Sequence, residues 1–231
     1  MTVLVTGANR GLGLEFVRQY AAAGATVHAC CRTPSEADEL YAIAGSVRVH
    51  ELDVLKHVAI DRLARELDGT PIDILINNAG IYGPRPSQGD YRQTFGHVDY
   101  DVMRRVFEVN SLSPLKMAEM FVEHVAASDQ KKLITISSTM GSISNTGGGF
   151  LAYRTSKAAV NMIMANLALR LRERGIIVTT FCPGWVKTDM GTDAATLTPE
   201  TSITGLRTQI AGLTMDDSGS FMRWDGKQIG W

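Results

Sequence analysis

The sequence predicts an α/β fold: a doubly wound parallel sheet of about seven strands with helices on both faces. Three observations carry that expectation. Short runs rich in valine, isoleucine and threonine alternate with helical patterns along the chain. Several of these runs are apolar on both faces, as strands buried between two helix layers must be. Glycine, asparagine, aspartate or serine follows the end of run after run, where an open sheet of this kind presents its ligand-binding edge.

Taken in order, the strand runs are TVLVT (2–6), ATVHACC (25–31), VRVHEL (47–52), IDILIN (72–77), KLITIS (132–137) and IIVTTFC (176–182). SFMRW (220–224) supplies a last short strand. The helical stretches between them have marked ends. Gly24 after RQYAAA and Gly175 after RLRER suit helix C-caps, where left-handed backbone is needed. TPSE (33–36) offers a Thr cap, Pro at the first helical position and Glu at the third, the pattern of a capping box. Asp99 is placed to cap the segment leading into MRRVFEV, and Pro199 to start a late helix. No linker, repeat or low-complexity stretch interrupts the chain, so residues 1–231 read as one domain.

Composition narrows the function. A net charge of −1 over 231 residues argues against nucleic acid as the main partner. Cys30, Cys31 and Cys182 all lie in apolar strand runs and read as reduced core thiols, with no disulfide or metal framework. Met1 runs straight into TVLVTGA, and no apolar stretch approaches the ~20 residues a membrane helix needs. A cytoplasmic protein without membrane contact is the expectation.

The first strand leads into TGANRGLG (6–13) and then a helix. Glycines let backbone turn tightly and approach a phosphate, and a helix N-terminus offers free N–H groups and positive dipole to a pyrophosphate. The spacing of Gly7, Gly11 and Gly13 is not the common G-x-G-x-x-G, and no Lys-Ser/Thr makes it a nucleotide-triphosphate loop. Alone it is as compatible with a structural turn. The remaining strand ends add weight: Asp53 after the third, NNAG (77–80) after the fourth, ISS (136–138) at the fifth, PGWVKT (183–188) after the sixth.

With TGANRGLG, NNAG, the Asn of FEVNSLSP, ISS, YRTSK and PGWVKT in that order, the chain resembles the short-chain dehydrogenase/reductase family over nearly its whole length. YRTSKAAVN and the ending GSFMRWDGKQIGW resemble the subgroup of C-factor-like proteins and sniffer-type carbonyl reductases. The resemblance implies a Rossmann-like dinucleotide-binding domain over 1–231. It implies Tyr153 as the catalytic acid/base, Lys157 as its partner, and Asn110 as the fourth member through a relay water. Ser138 would bind the reacting oxygen, with Ser137 and Thr139 as the alternatives if the following loop is shifted. Cofactor contacts implied by the same motifs run through Gly7, Asn9, Arg10, Gly11, Leu12, Gly13, Asp53, Val54, Asn77, Ala79 and Gly80. They continue through Tyr153, Lys157, Pro183, Gly184, Val186 and Thr188, the last beside the nicotinamide carboxamide.

The residue types suit that chemistry. Tyr153 and Lys157, four apart, share one helix face. A free phenol titrates near 10, and a neighbouring ammonium is expected to bring it down towards a useful range. Cofactor choice turns on the end of the second strand, where NAD-specific folds carry an acid. That place falls at neutral Cys31, followed by Arg32, while Glu36 and Asp38 lie beyond Pro34. Arg32, with Arg10 from the other side, suits a 2′-phosphate. NADP(H) is therefore expected, with NAD(H) as the lesser alternative. Ile81, Tyr82, Met140, Phe150, Trp185 and Met190 are candidates for an apolar substrate pocket, with core packing equally compatible. The ten or so residues 189–198 leave little material for a lid, so a fairly open pocket for aldehydes, ketones or quinones is expected.

Two further expectations complete the reading. LKMAEMFVEHVAA (115–127) and AAVNMIMANLALRL (158–171) are apolar on more faces than a sheet covers. The interval from Ser138 to Tyr153 has no room for the covering insertion of monomeric relatives, so a homodimer or homotetramer follows. The substrate is a small carbonyl compound or, in the oxidative direction, an alcohol. A regulatory protein sensing the dinucleotide is the alternative outside enzymes.

Overall fold

The computed structural model describes residues 1–231. The strands are β1 (Thr2–Thr6), β2 (Thr26–Cys31), β3 (Val47–Glu51), β4 (Ile74–Asn77), β5 (Lys132–Ile136), β6 (Ile177–Cys182) and β7 (Phe221–Arg223). The helices are α1 (Gly11–Ala22), α2 (Asp38–Tyr41), α3 (His57–Glu66), α4 (Tyr100–Phe107), α5 (Ser113–Ala126), α6 (Leu151–Leu171) and α7 (Pro199–Gly212). All seven strands are parallel, in the order β3-β2-β1-β4-β5-β6-β7. The order reverses between β1 and β4, so a crevice opens at their C-terminal ends.

Strand alternation divides the core in two. Val3 and Val5 point to one face, where they pack with Phe16, Val17, Leu206 and Ile210 from α1 and α7. Leu4 points to the other, with Leu63, Phe121, Val160 and Met164 from α3, α5 and α6. Buried apolar side chains on both sides are what a parallel sheet requires. Lys132, buried at the start of β5, sends its Nζ to the carbonyls of Ile210 (2.7 Å) and Ala211 (3.2 Å). A cation there answers the negative end of α7. No helix is long and apolar enough to cross a membrane.

The helix ends follow the sequence in most places. Gly24 and Gly175 take left-handed backbone, with φ of +79° and +70°. Asp99 caps α4 by accepting from the backbone N–H of Asp101 and Val102, and Thr198 caps α7 from the residue before Pro199. The capping box at TPSE does not form. Thr33 makes no side-chain cap, and Pro34–Glu36 is a single 3-10 turn. The chain closes that turn with backbone bonds from Glu36 to Thr33 and from Ala37 to Pro34, and α2 begins only afterwards. Between α4 and α5 the helix loosens into a π turn over Glu108–Leu112. Such bulges re-aim side chains at functional sites, and this one carries Asn110.

Candidate functional site

The C-terminal ends of the strands enclose a groove of about 610 Å³, within the size range of small-molecule sites. The glycine loop forms one wall. A Cβ on Gly13 would stand 2.1 Å from the Gly7 carbonyl oxygen, so only glycine lets α1 start this close to β1. Helix α1 has no side-chain cap and no acid in its first turn. Its N–H groups and positive dipole therefore face the groove unanswered, which fits a bound anion. Across the switch point, Asn78 braces the two strands. Its Nδ2 donates to the carbonyls of Thr6 (2.9 Å) and Gly7 (3.1 Å). The Thr6 hydroxyl accepts from the N–H of Asn78 (3.0 Å) and Ala79 (3.1 Å).

Tyr153 and Lys157 lie in the first two turns of α6, both buried, with Nζ 5.8 Å from the phenol ring centre. Lys157 Nζ donates to the Ile136 carbonyl at 2.9 Å. Burial lowers the Lys157 ammonium to about 8. Burial raises the Tyr153 phenol, opposed by the Ser138 hydroxyl and by the charge of Arg85. The expectation that Lys157 brings the phenol down is thus corrected. Both groups are taken out of water together, and the desolvation of the phenolate outweighs the neighbouring charges.

Among the three hydroxyls after β5, Ser138 is the one that acts on the Tyr153 phenol, lowering it, and its Oγ accepts from the Met140 N–H at 3.1 Å. Ser137 is turned inward, donating to Asn161 Oδ1 at 2.6 Å. Thr139 lies 3.9 Å from Cys182 Sγ. A close approach sets this turn: a Cβ on Gly141 would meet the Lys157 backbone at 2.7 Å. Asn110, from the π turn, grips Ile81, accepting from its N–H and donating to its carbonyl, each at 2.9 Å. It also donates to Ser156 Oγ at 3.0 Å.

The short chain dehydrogenase family model matches residues 1–197. The chain belongs to that family. C-signal of Myxococcus xanthus is 38% identical over 162 residues, spanning 70% of this chain and 93% of that protein. The solved structure of the carbonyl reductase Sniffer of D. melanogaster superposes with a TM-score of 0.90 at 30% identity, covering 100% of this chain and 99% of that one. The NADPH-bound carbonyl reductase from chicken fatty liver gives 0.89 at 33%, covering 100% and 98%. The chain is thus an oxidoreductase of the short-chain dehydrogenase family, with a Rossmann-like fold.

In this short-chain dehydrogenase the groove gathers most of the residues singled out in the sequence. Gly7, Asn9, Arg10, Gly11, Leu12 and Gly13 line it, as do Arg32, Asp53, Val54, Ala79, Gly80, Tyr153, Lys157, Pro183 and Thr188. Three do not. Asn77 is buried beneath the groove, its Nδ2 directed to Pro114 and Thr135, because strand alternation turns it away and brings Asn78 forward. Gly184 packs against Leu197 and Trp224, and Val186 is buried in a bridge to Leu197. Arg10 does not stand free: it is ion-paired with Asp189 of the loop after β6. Arg32 has no carboxylate partner, and the nearby Glu39 is paired with Arg18.

The pocket candidates divide. Tyr82 packs on Tyr153 with ring centres 4.4 Å apart and meets Phe150 edge-on at 5.2 Å. Its hydroxyl reaches Met140 Sδ at 3.6 Å. Phe150 holds a left-handed backbone, φ +49°, as the residue before α6. Ile81 and Met190 line the groove. Trp185 instead donates to the Gly191 carbonyl at 2.7 Å and is half exposed on its own loop.

Sequence reasoning missed Asn78, although it stands in the quoted NNAG. It also missed Gln93, which carries no pattern at all. Gln93 is fully buried, its Oε1 accepts from the Tyr153 N–H at 3.1 Å, and its Nε2 donates to the Tyr82 carbonyl at 3.1 Å. It caps α6 and ties Tyr153 to the Tyr82 segment.

Proposed function

We propose that this chain is an NADPH-dependent carbonyl reductase acting on aldehydes, ketones or quinones. The observation that carries the reading is Tyr153 and Lys157 buried together one turn apart on the groove wall, with burial raising the phenol and Ser138 just past the end of β5. A protonated phenol is what the reductive direction needs, since the carbonyl oxygen must receive a proton. When bound, the reduced nicotinamide supplies the hydride to the carbonyl carbon. Ser138 holds the carbonyl oxygen and donates to it as charge develops. Tyr153 gives that oxygen its proton. Lys157, anchored on the Ile136 carbonyl, holds positive charge beside the phenol. Asn110 fixes the Ile81 backbone at the back of the site.

The open N-terminus of α1 supports a pyrophosphate at Gly11–Gly13. Free Arg32 beside neutral Cys31 supports a 2′-phosphate and so NADP(H) over NAD(H). Arg10, held by Asp189, contributes less. The reading includes a cytoplasmic homodimer or homotetramer, a single dinucleotide-binding domain throughout. Free buried Cys30, Cys31 and Cys182 suit a reducing compartment. Met162 and Leu169, 71% and 78% exposed on α6, suit a helix-face contact between copies. The likeness to C-signal leaves room for signalling, but a sensor needs only the cofactor groove, not the Ser138–Tyr153–Lys157 set.

The test is loss of NADPH absorbance over a panel of small aldehydes, ketones and quinones, repeated with NADH. NADPH turnover is expected to lead. Arg32→Ala is expected to cut the NADPH:NADH ratio of kcat/KM by about tenfold or more, the scale of one charge-assisted contact. Equal use of both cofactors by the wild type would remove the NADP assignment. Turnover with alcohols and NADP+ but no carbonyl would reverse the direction.

A further inference from the structure

Beside the reacting phenol the chain gathers positive charge that no acid neutralises. The Arg85 guanidinium carbon lies 4.5 Å from the centre of the Tyr82 ring, and Tyr82 packs on Tyr153. Arg154 follows Tyr153 in the first turn of α6. Its Nη1 donates to the Met140 carbonyl at 3.4 Å, and its Nε is buried with no partner. Tyr82 reaches Met140 through its hydroxyl, so Met140 links Arg154 to the aromatic ring that Arg85 covers. Both side chains belong to half-buried residues.

Neither arginine has a carboxylate within ion-pair reach. The acids close to them in the chain are taken. Asp90 and Asp99 are paired with Arg92. Asp189 is paired with Arg10, leaving Arg85 to donate to the Met190 carbonyl next door. Partly desolvating two guanidinium groups without a counter-ion is costly. An arginine has five donors, and a planar fork matches a carboxylate. Arg85 uses one donor on Met190, and Arg154 one on Met140.

We propose that the substrate carries a carboxylate in addition to its reacting carbonyl, and that Arg85 and Arg154 select it. This rests on the carbonyl reductase reading above. The carbonyl sits at Ser138 and Tyr153, the body of the molecule lies on Tyr82 and Phe150, and the carboxylate faces the two guanidinium groups. Arg85 and Arg154 act as specificity residues. They are bound equally in ground and transition states, so their effect falls on KM rather than kcat.

The test compares 3- and 4-carboxybenzaldehyde with their methyl esters, using NADPH. The better-fitting acid is expected to exceed its ester in kcat/KM by about tenfold or more, mainly through KM. That ratio is expected to collapse towards one in Arg85→Gln and in Arg154→Gln, and to be partly kept in Arg85→Lys. In parallel, calorimetry measures benzoate and benzamide binding to the protein loaded with NADPH, a readout independent of turnover. Benzoate is expected to bind more tightly, and the difference to vanish in Arg85→Gln. Acid and ester reduced equally by the wild type would overturn the proposal while leaving the reductase reading intact. If no aldehyde is reduced, the reductase reading fails, and equal binding of benzoate and benzamide then overturns the charge selection as well. Should Arg154→Gln not fold, the wild-type ratio and Arg85→Gln decide.

Discussion

His28 and His50, the first buried and the second half-buried, form one titratable pair in this protein, and buried Tyr153 with Lys157 forms another. His28 has no exposed surface, and its Nδ1 lies 2.9 Å from His50 Nε2, with the rings stacked 5.0 Å apart. Tyr153 and Lys157 are 6% and 5% exposed, nearly as deeply placed as His28 and deeper than the half-buried His50. Burial is the largest cause of displacement in all four groups. The difference is position along the strands. His28 sits in the middle of β2, opposite Leu4 of β1 and Arg48 of β3, with its ring on the α3–α5–α6 face. Tyr153 and Lys157 stand beyond the strand ends, on the groove wall. A perturbed group marks chemistry only where a ligand reaches it.

Replacing one member of each pair is the strongest way to break that comparison. Tyr153→Phe is expected to lower kcat for carbonyl reduction by about 10²–10⁴, the usual scale of general acid catalysis, with little change in Tm. His28→Gln is expected to lower Tm and leave kcat within its wild-type range. Steady-state kinetics and thermal melts on both variants check this. A large kcat loss in His28→Gln, or wild-type turnover in Tyr153→Phe, would erase the distinction.

A smaller effect sharpens it. kcat/KM reports the ionisations of the free enzyme. Lys157, lowered to about 8, is charged below that pH and neutral above it. If its charge assists the phenol, kcat/KM for reduction is expected to be level at neutral pH and to fall about tenfold per unit well above pH 8. Tyr153 remains protonated throughout that range, so the falling limb belongs to Lys157. A profile flat to pH 10 would remove Lys157's charge from the mechanism.

The two regions also differ in how far the sequence foretold them. The glycine loop, the Tyr153–Lys157 spacing and the strand alternation were legible because each is local: a turn, one helix face, a period of two. Gly13 needs only its neighbour Gly7 to explain it. The surroundings of the phenol were not legible, since they depend on long-range closure. Gln93 lies 60 residues from Tyr153, whose N–H it accepts, and Asp189 lies 179 from Arg10. No periodicity within 81–99 points to Arg85 or Gln93. Asn77 and Asn78 satisfy the motif equally, and only the direction of the last strand residue separates them. The direction of the phenol's shift is illegible for a related reason: adjacency of charge is visible in a sequence, and shared burial is not.

The histidine pair yields the smallest expected effect and the one most specific to it. His28 Nε2 is buried with no partner. A buried lone pair is tolerated there better than an N–H, which places the bridging proton on Nδ1, donated to His50. Protonating His28 would put a donor at Nε2 with nothing to accept it, beside Arg48 and against a second ring. Its value accordingly falls from 6.5 to about 4, through burial first, then His50, then Arg48. His50 is lowered too, by burial and Arg48, with Glu66 acting the other way. The unfolded chain binds a proton at His28 below about pH 6.5, and the folded chain does not until about pH 4. The contribution to stability is therefore fully present above pH 6.5 and is lost as the pH falls towards 4, at up to about 1.4 kcal/mol per pH unit for one proton. Carboxylates titrate in the lower part of that range, so the measurement is a difference: denaturant unfolding of wild type and His28→Gln at half-unit steps from pH 7.5 to 4.5. The variant is expected to be less stable at pH 7 and to lose less stability between pH 6.5 and 5 than the wild type does. Parallel curves would mean that the stacked rings carry no proton linkage, and that burial at mid-strand and burial at the groove differ in less than position.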